Sequence, residues 1–233
     1  MADDRRLVLT RETIMSGQVR QMVKELGIEM RVLSEEELAE SLTGFLADRD
    51  LSRGVWVFGY GSLIWNPAFH FDGRRIGTIY GFHRRFCLWT HLGRGNPERP
   101  GLVLGLERGG SCRGVALHVP PEHVQDELAV IWAREMISGA YVPRWVMVHG
   151  GGAPVRAIAF VINHAHERYA RYLPDEEIAG VIASASGALG PCADYLINTV
   201  DHLKELGVHD RPLEQLRRRV VALRGEQAAS ASA

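Results

Sequence analysis

The chain has 233 residues, 46% hydrophobic and 24% charged, an ordinary globular composition long enough to bury a core without disulfides or metals. Lys and Arg number 27 against 28 Asp and Glu, a net charge of −1, so the basic footprint of a nucleic-acid binder is absent. No apolar run reaches the ~18 residues of a membrane span, and residues 1–30 carry no apolar core like that of a signal peptide.

Residues 1–52 contain only Gly17, Gly27 and Gly44 and predict a helical extension. One amphipathic segment runs from about Arg11 to Leu26 and stops at Gly27. A second begins at Ser34 with S-E-E-E, a capping box with Glu37, followed by Leu38, Leu42, Phe45 and Leu46. Its apolar stripe predicts that these helices dock on the body that follows. From Gly54 onward glycine becomes frequent and the pattern turns to short β-rich runs. VWVFGYG (55–61) is apolar on both faces, as a strand buried on both sides must be. GTIYGFHRRFCLWT (77–90) predicts a long strand. LVLGLER (102–108), Gly109–Gly110 and CRGVALHV (112–119) predict a hairpin, and 141–149 with 155–163 a second one across Gly150–Gly152. A strong helix lies between, from about Pro121 to Ile137. Further helices are predicted at about 175–187, 193–206 and 212–223, then a disordered tail over 224–233. Six strands, one inserted helix and trailing helices give an α+β fold, a small barrel.

Two constellations carry chemistry. Val124, Leu128 and Ile131 form one helical stripe, and the next position on it is Glu135, while Glu122, Asp126 and Arg134 fall elsewhere on the wheel. A carboxylate on a buried face loses hydration, its pKa rises, and it becomes a usable acid or base near neutrality. The structural alternative is a glutamate at a frayed helix end, paired with an arginine. The second constellation is Gly59-Tyr60-Gly61-Ser62-Leu63-Ile64 at the end of the first buried strand. It is neither a dinucleotide fingerprint, which needs glycine where Ile64 stands, nor a nucleophile elbow. Its backbone N–H groups can cradle an anion such as a carboxylate, or it is a tight turn after a core strand. His164-x-His166 is the one close histidine pair and predicts a solvated loop rather than a zinc site; no metal is expected. Cys87, Cys112 and Cys192 are odd in number and lack CxxC spacing. They predict buried, reduced thiols and a cytoplasmic protein.

The motifs together resemble a known family. VFGYGSLIWNPAF (57–69), GFHRRFCLWT (81–90), the helix ending WAREM (132–136) and GPCADYLINTVDHLKELGVHD (190–210) are similar, in order, to the blocks of the ChaC family of glutathione-specific γ-glutamylcyclotransferases. The resemblance implies a γ-glutamylcyclotransferase-like fold, a small mixed β-barrel flanked by helices, with residues 53–223 as the catalytic domain and 1–52 as an extension. It implies release of 5-oxoproline and Cys-Gly from glutathione with no cofactor, a small-molecule substrate, and neither nucleic acid nor membrane as partner. Carried onto this chain, Glu135 is the acid/base, Gly59, Tyr60, Gly61, Ser62, Leu63 and Ile64 hold the γ-glutamyl group, and Tyr195 helps bind substrate. The segment from Glu135 to Tyr141 is longer than the Glu-x-Gly-Gly-Tyr of compact members, so the role of Tyr141 stays open. The extension and the THLGRGNPERPG loop (90–101) resemble bacterial members. A cyclotransferase for other γ-glutamyl amino acids or amines, and a non-catalytic ligand-binding regulator, are the competing readings.

Overall fold

The computed structural model describes residues 7–231. The chain divides into two compact units. One comprises residues 7–8, Phe86–Leu104 and Ala170 onward; the other comprises Leu9–Arg85 and Gly105–Tyr169.

The second unit holds most of a curled mixed sheet. Strands β1 (Val55–Gly59), β2 (Gly73–Thr90), β3 (Gly101–Val119), β4 (Tyr141–Val148) and β5 (Val155–Ile162) lie in the order β2-β3-β1-β5-β4. β1 sits at the centre, antiparallel to β3 (Val55 opposite Val119, Gly59 opposite Val115) and parallel to β5. That position explains its double-sided apolar sequence, since Val57 and Phe58 expose nothing. The two outer strands meet at one point, where Thr78 and His149 exchange backbone hydrogen bonds of 2.7 and 2.9 Å, closing the sheet into a small barrel.

The hairpin expected across Gly109–Gly110 does not form; residues 101–119 are one 19-residue strand. The two glycines take left-handed φ values of +93° and +69°, which bend a continuous strand as a bulge does. As a single strand, β3 lies between β2 and β1 in the sheet, and its two halves do not pair with each other. A Gly-Gly between two β runs is therefore a bend here, and among the described residues the strands number five rather than six, apart from the two-residue strands β6 (Ser186–Gly187) and β7 (Gly190–Pro191).

Helix α4 (Val124–Glu135) follows a short 3-10 turn at Pro121–His123. β3 ends at Val119, opposite Val55 at the start of β1, and α4 follows. The last turn of α4 reaches the glycine loop after β1, where Arg134 donates to Ser62 Oγ and Asn66 O.

The N-terminal helices belong to this unit as well. The segment predicted as one helix over 11–26 is two, α1 (Arg11–Met15) and α2 (Gln18–Glu25), because Gly17 between them takes φ +73°. Helix α3 (Glu35–Leu46) begins with the Ser34–Glu37 capping box, with bonds of 3.1 and 2.7 Å. It docks on α4 and β4: the Phe45 ring lies 5.5 Å from Trp132 and stacks at 9° on Trp145, and Trp132 Nε1 donates to Ser41 Oγ at 3.3 Å.

The first unit packs α5 (Asp175–Ser184), α6 (Cys192–Glu205) and α7 (Arg211–Ala231) through Ile182, Leu196 and Val220, all fully buried. Arg217 pairs with Asp201 at 2.5 Å along the α6–α7 contact. Helix α7 runs through to Ala231, so the stretch predicted as a disordered tail is helical as far as the described residues extend. Glu226, Gln227, Ala228, Ala229 and Ala231 supply strong helix propensity there. Among the described residues, no helix is long and apolar enough to cross a membrane.

Candidate active site

Three features converge at the end of β1. The first is the glycine loop. After Gly59 the backbone enters a 3-10 turn over Ser62–Ile64, preceded by Gly61 at φ −138°, ψ −127°. The Ile64 N–H closes this turn on Gly61 O at 2.9 Å and is thereby committed to it, whereas the opening positions Gly61 to Leu63 are where such a turn leaves N–H donors without partners inside it. The Tyr60 side chain is buried and its hydroxyl donates to Phe160 O at 2.8 Å, so this tyrosine anchors the loop from below.

The second feature is Glu135 at the last turn of α4, with 14% of its side chain exposed. Burial pushes its carboxyl above the ordinary carboxylate value; the neighbouring Arg134 charge and hydrogen bond oppose that rise without cancelling it.

The third is Arg134 itself, which the helical wheel assigned to another face. Its side chain is only 7% exposed, and its guanidinium binds the two other features together. Nε lies 3.1 Å from Glu135 Oε1, Nη2 donates to Ser62 Oγ at 2.9 Å, and Nη1 donates to Asn66 O at 2.5 Å. A wheel records where the Cβ points; the long arginine side chain curls back along the helix surface to reach the loop. Sequence reasoning also missed Arg84 of β2. Buried, it donates from Nη1 to Tyr60 O at 2.7 Å and from Nη2 to Arg113 O, clamping the loop's first carbonyl to β3. The RR pair within GFHRRF was the available signal.

A second buried glutamate on the same helix behaves oppositely. Glu127 is 3% exposed; burial pushes its pKa up, but the His70 backbone N–H at 2.9 Å, the His70 ring and the Arg11 guanidinium outweigh that and hold it low. Glu127 thus stays ionised as an anchor joining α1, α4 and the segment after the glycine loop. The Glu135 carboxyl is displaced the other way, toward its neutral form, so the two buried glutamates of one helix differ in their readiness to take up a proton.

The other expected residues are placed as follows. Tyr195 lies in the first unit, buried on α6, its ring edge-on to Phe86 at 5.9 Å. Tyr141 opens β4 and interacts electrostatically with Arg168, whose guanidinium also bonds Ser138 Oγ. The His164/His166 pair, expected to be a solvated loop, is tied into the structure: His164 Nε2 meets Glu107 Oε2 at 2.7 Å and His166 Nε2 meets Ser138 O at 2.9 Å. No group of three potential metal ligands occurs among the described residues. All three cysteines are buried and outside any disulfide, and burial pushes the Cys192 thiol up to about 11.

The barrel, the loop and the helix-borne glutamate define a γ-glutamylcyclotransferase-like fold. A crystal structure of a yeast cyclotransferase specific to glutathione superposes with a TM-score of 0.68 over 74% of this chain and 97% of its own, at 24% identity. The family model described as ChaC-like protein matches residues 55–223, and the chain belongs to the ChaC family. The glutathione-specific gamma-glutamylcyclotransferase of Escherichia coli is 43% identical over 184 residues, 78% of this chain and 80% of that protein. The glutathione-specific gamma-glutamylcyclotransferase 1 of Homo sapiens is 32% identical over 160 residues, 66% of this chain and 72% of that protein.

Proposed function

We propose that this chain is a glutathione-specific γ-glutamylcyclotransferase with Glu135 as its acid/base. Membership of the ChaC family and relatives of that activity support the reaction. The observation that carries the mechanism is Glu135, raised in pKa by burial and linked through Arg134 to the 59–67 loop.

The α-amine of the γ-glutamyl residue attacks its own γ-carbonyl and closes a five-membered lactam. The new C–N bond forms as the bond to the cysteinyl nitrogen breaks, giving 5-oxoproline and Cys-Gly. Both reacting groups lie in one molecule, and intramolecular attack in a held geometry reaches effective molarities of about 10⁵–10⁸ M, so positioning supplies much of the rate. Two proton transfers remain. The α-ammonium sheds two protons in becoming the lactam N–H and the departing nitrogen gains two in leaving as the Cys-Gly ammonium, and Glu135, alternating between carboxylate and carboxylic acid, carries each across. The opening N–H groups of the loop are suited to the substrate's α-carboxylate or to the oxyanion of the tetrahedral intermediate. Neither step consumes water. Buried, reduced cysteines agree with a cytoplasmic setting.

Mass spectrometry of products tests the reading. Purified protein incubated with reduced glutathione is expected to yield 5-oxoproline and Cys-Gly while sparing γ-Glu-Ala. Turnover of γ-Glu-Ala alone would retain the mechanism and overturn the specificity. No product from either would remove the enzymatic reading.

A further inference from the structure

Beyond the Thr78–His149 bridge the outer strands β2 and β4 separate, and a cavity of about 580 Å³ opens at the barrel seam. Phe82, Leu106 and Val161 make part of its wall, and Arg108 of β3, Arg144 of β4 and Asn163 after β5 bring polar groups to it. Arg108 and Arg144 are exposed residues that line this one cavity together, and neither makes an ion pair among the described residues. The acid nearest in sequence, Glu107, is buried and directs Oε2 to His164, which lines the same cavity. Two guanidiniums on different strands thus line one cavity with no protein carboxylate bonded to either.

The cavity is also coupled to the catalytic segment. Asn163 donates from its backbone N–H to Ala140 O at 2.9 Å and from Nδ2 to Gly139 O at 3.0 Å, holding the stretch that leads from Glu135 into β4. In glutathione, the cysteinyl and glycyl residues separate the reacting γ-carbonyl from the terminal carboxylate. Two extended residues span ~7 Å, a short reach beyond the reacting centre.

We propose that this cavity binds a carboxylate, and that in the reaction proposed above, on which this assignment rests, it takes the terminal glycine carboxylate of the substrate through Arg108 and Arg144. A planar guanidinium matches a carboxylate with two parallel hydrogen bonds, a geometry a lysine ammonium does not reproduce. The pair thereby selects γ-glutamyl peptides that end in an acid over γ-glutamyl amines.

The test compares the wild type, R108A/R144A and R144K on glutathione and on glutathione amidated at its glycine carboxylate, with melting temperatures to confirm folding. The double variant is expected to lose about 10- to 100-fold in kcat/KM on the acid, chiefly through KM, as loss of a charged hydrogen bond implies. It should leave turnover of the amide unchanged, with R144K intermediate. Equal losses on acid and amide, or no loss on either, would overturn the assignment. If the wild type releases no 5-oxoproline from either, the functional reading has failed, and calorimetric titration of the dipeptide Cys-Gly still decides the cavity. Binding to the wild type that disappears in the double variant supports a carboxylate site; no binding, or equal binding to both, overturns it.

Discussion

Arg134 offers the sharpest perturbation of the site. Replacing it with Met keeps much of the stem's packing but removes the cation that faces Glu135 and the donors to Ser62 and Asn66. Both partners of the pair are largely buried, and removing one member of a buried ion pair costs about 3–5 kcal/mol. At this chain length each kcal/mol corresponds to roughly 2–4 °C, so the melting temperature should fall by about 6–20 °C. Glu135 can limit the loss by taking up a proton, because its carboxyl is already raised by burial and Arg134 is what restrains the rise. The acidic limb of the pH–rate profile for 5-oxoproline release should therefore move to higher pH in R134M, as the base is protonated over a wider range. R134K, which keeps the charge, should fall between the two. A melting temperature within about 2 °C of wild type together with an unmoved acidic limb would refute the clamp, given the 2–4 °C expected per kcal/mol.

Other consequences follow from single contacts. A Cβ added to Gly114 would stand 2.4 Å from Gly59 O and 2.8 Å from Phe58 Cζ, so Gly114→Ala should displace the start of the glycine loop. It should lower both the melting temperature and turnover; unchanged values for both would show that the loop tolerates the shift. Because Glu135 is raised in the folded state, the native protein holds its proton more readily than the unfolded chain does. Stability from this group is full below the ordinary carboxylate range and is lost as pH rises through the raised value. Wild-type melting temperature should accordingly fall as pH rises from the ordinary carboxylate range (about pH 4) through the raised value, and Glu135→Gln should show less of that fall; the same pH dependence in both proteins would contradict the assignment. All three cysteines are buried and the Cys192 thiol is pushed up to about 11, so native protein at neutral pH should resist alkylation that the denatured chain accepts. Removing residues 1–52 exposes the faces that Phe45, Leu38 and Leu42 cover and should lower the melting temperature; an unchanged melt would refute docking of α3.

What was legible in the sequence followed from local rules. The Ser34 capping box, the double-sided apolar run of β1 and the stripe leading to Glu135 are each set by neighbours within a few residues, and each is present in the structure. The misreadings arose where distant partners decide. Gly109–Gly110 has the signature of a hairpin turn, but residues 101–119 form one strand between β2 and β1, which makes the glycines a bend. Arg134 and Arg84 were missed because their meaning lies in which backbone carbonyls they reach, 68 residues back to Asn66 in one case and 24 to Tyr60 in the other. His70, paired with Glu127 across 57 residues, was invisible for the same reason.

One measurement tests Glu135 as the acid/base most directly: 5-oxoproline released from reduced glutathione by wild-type protein and by Glu135→Gln, at equal concentration and with both confirmed folded. Loss of a positioned acid/base predicts a fall of about 10²- to 10⁴-fold in kcat with 5-oxoproline and Cys-Gly in equal amounts from the wild type. A Glu135→Gln variant that releases 5-oxoproline at the wild-type rate would contradict the assignment, whatever the fate of the loop and its clamp.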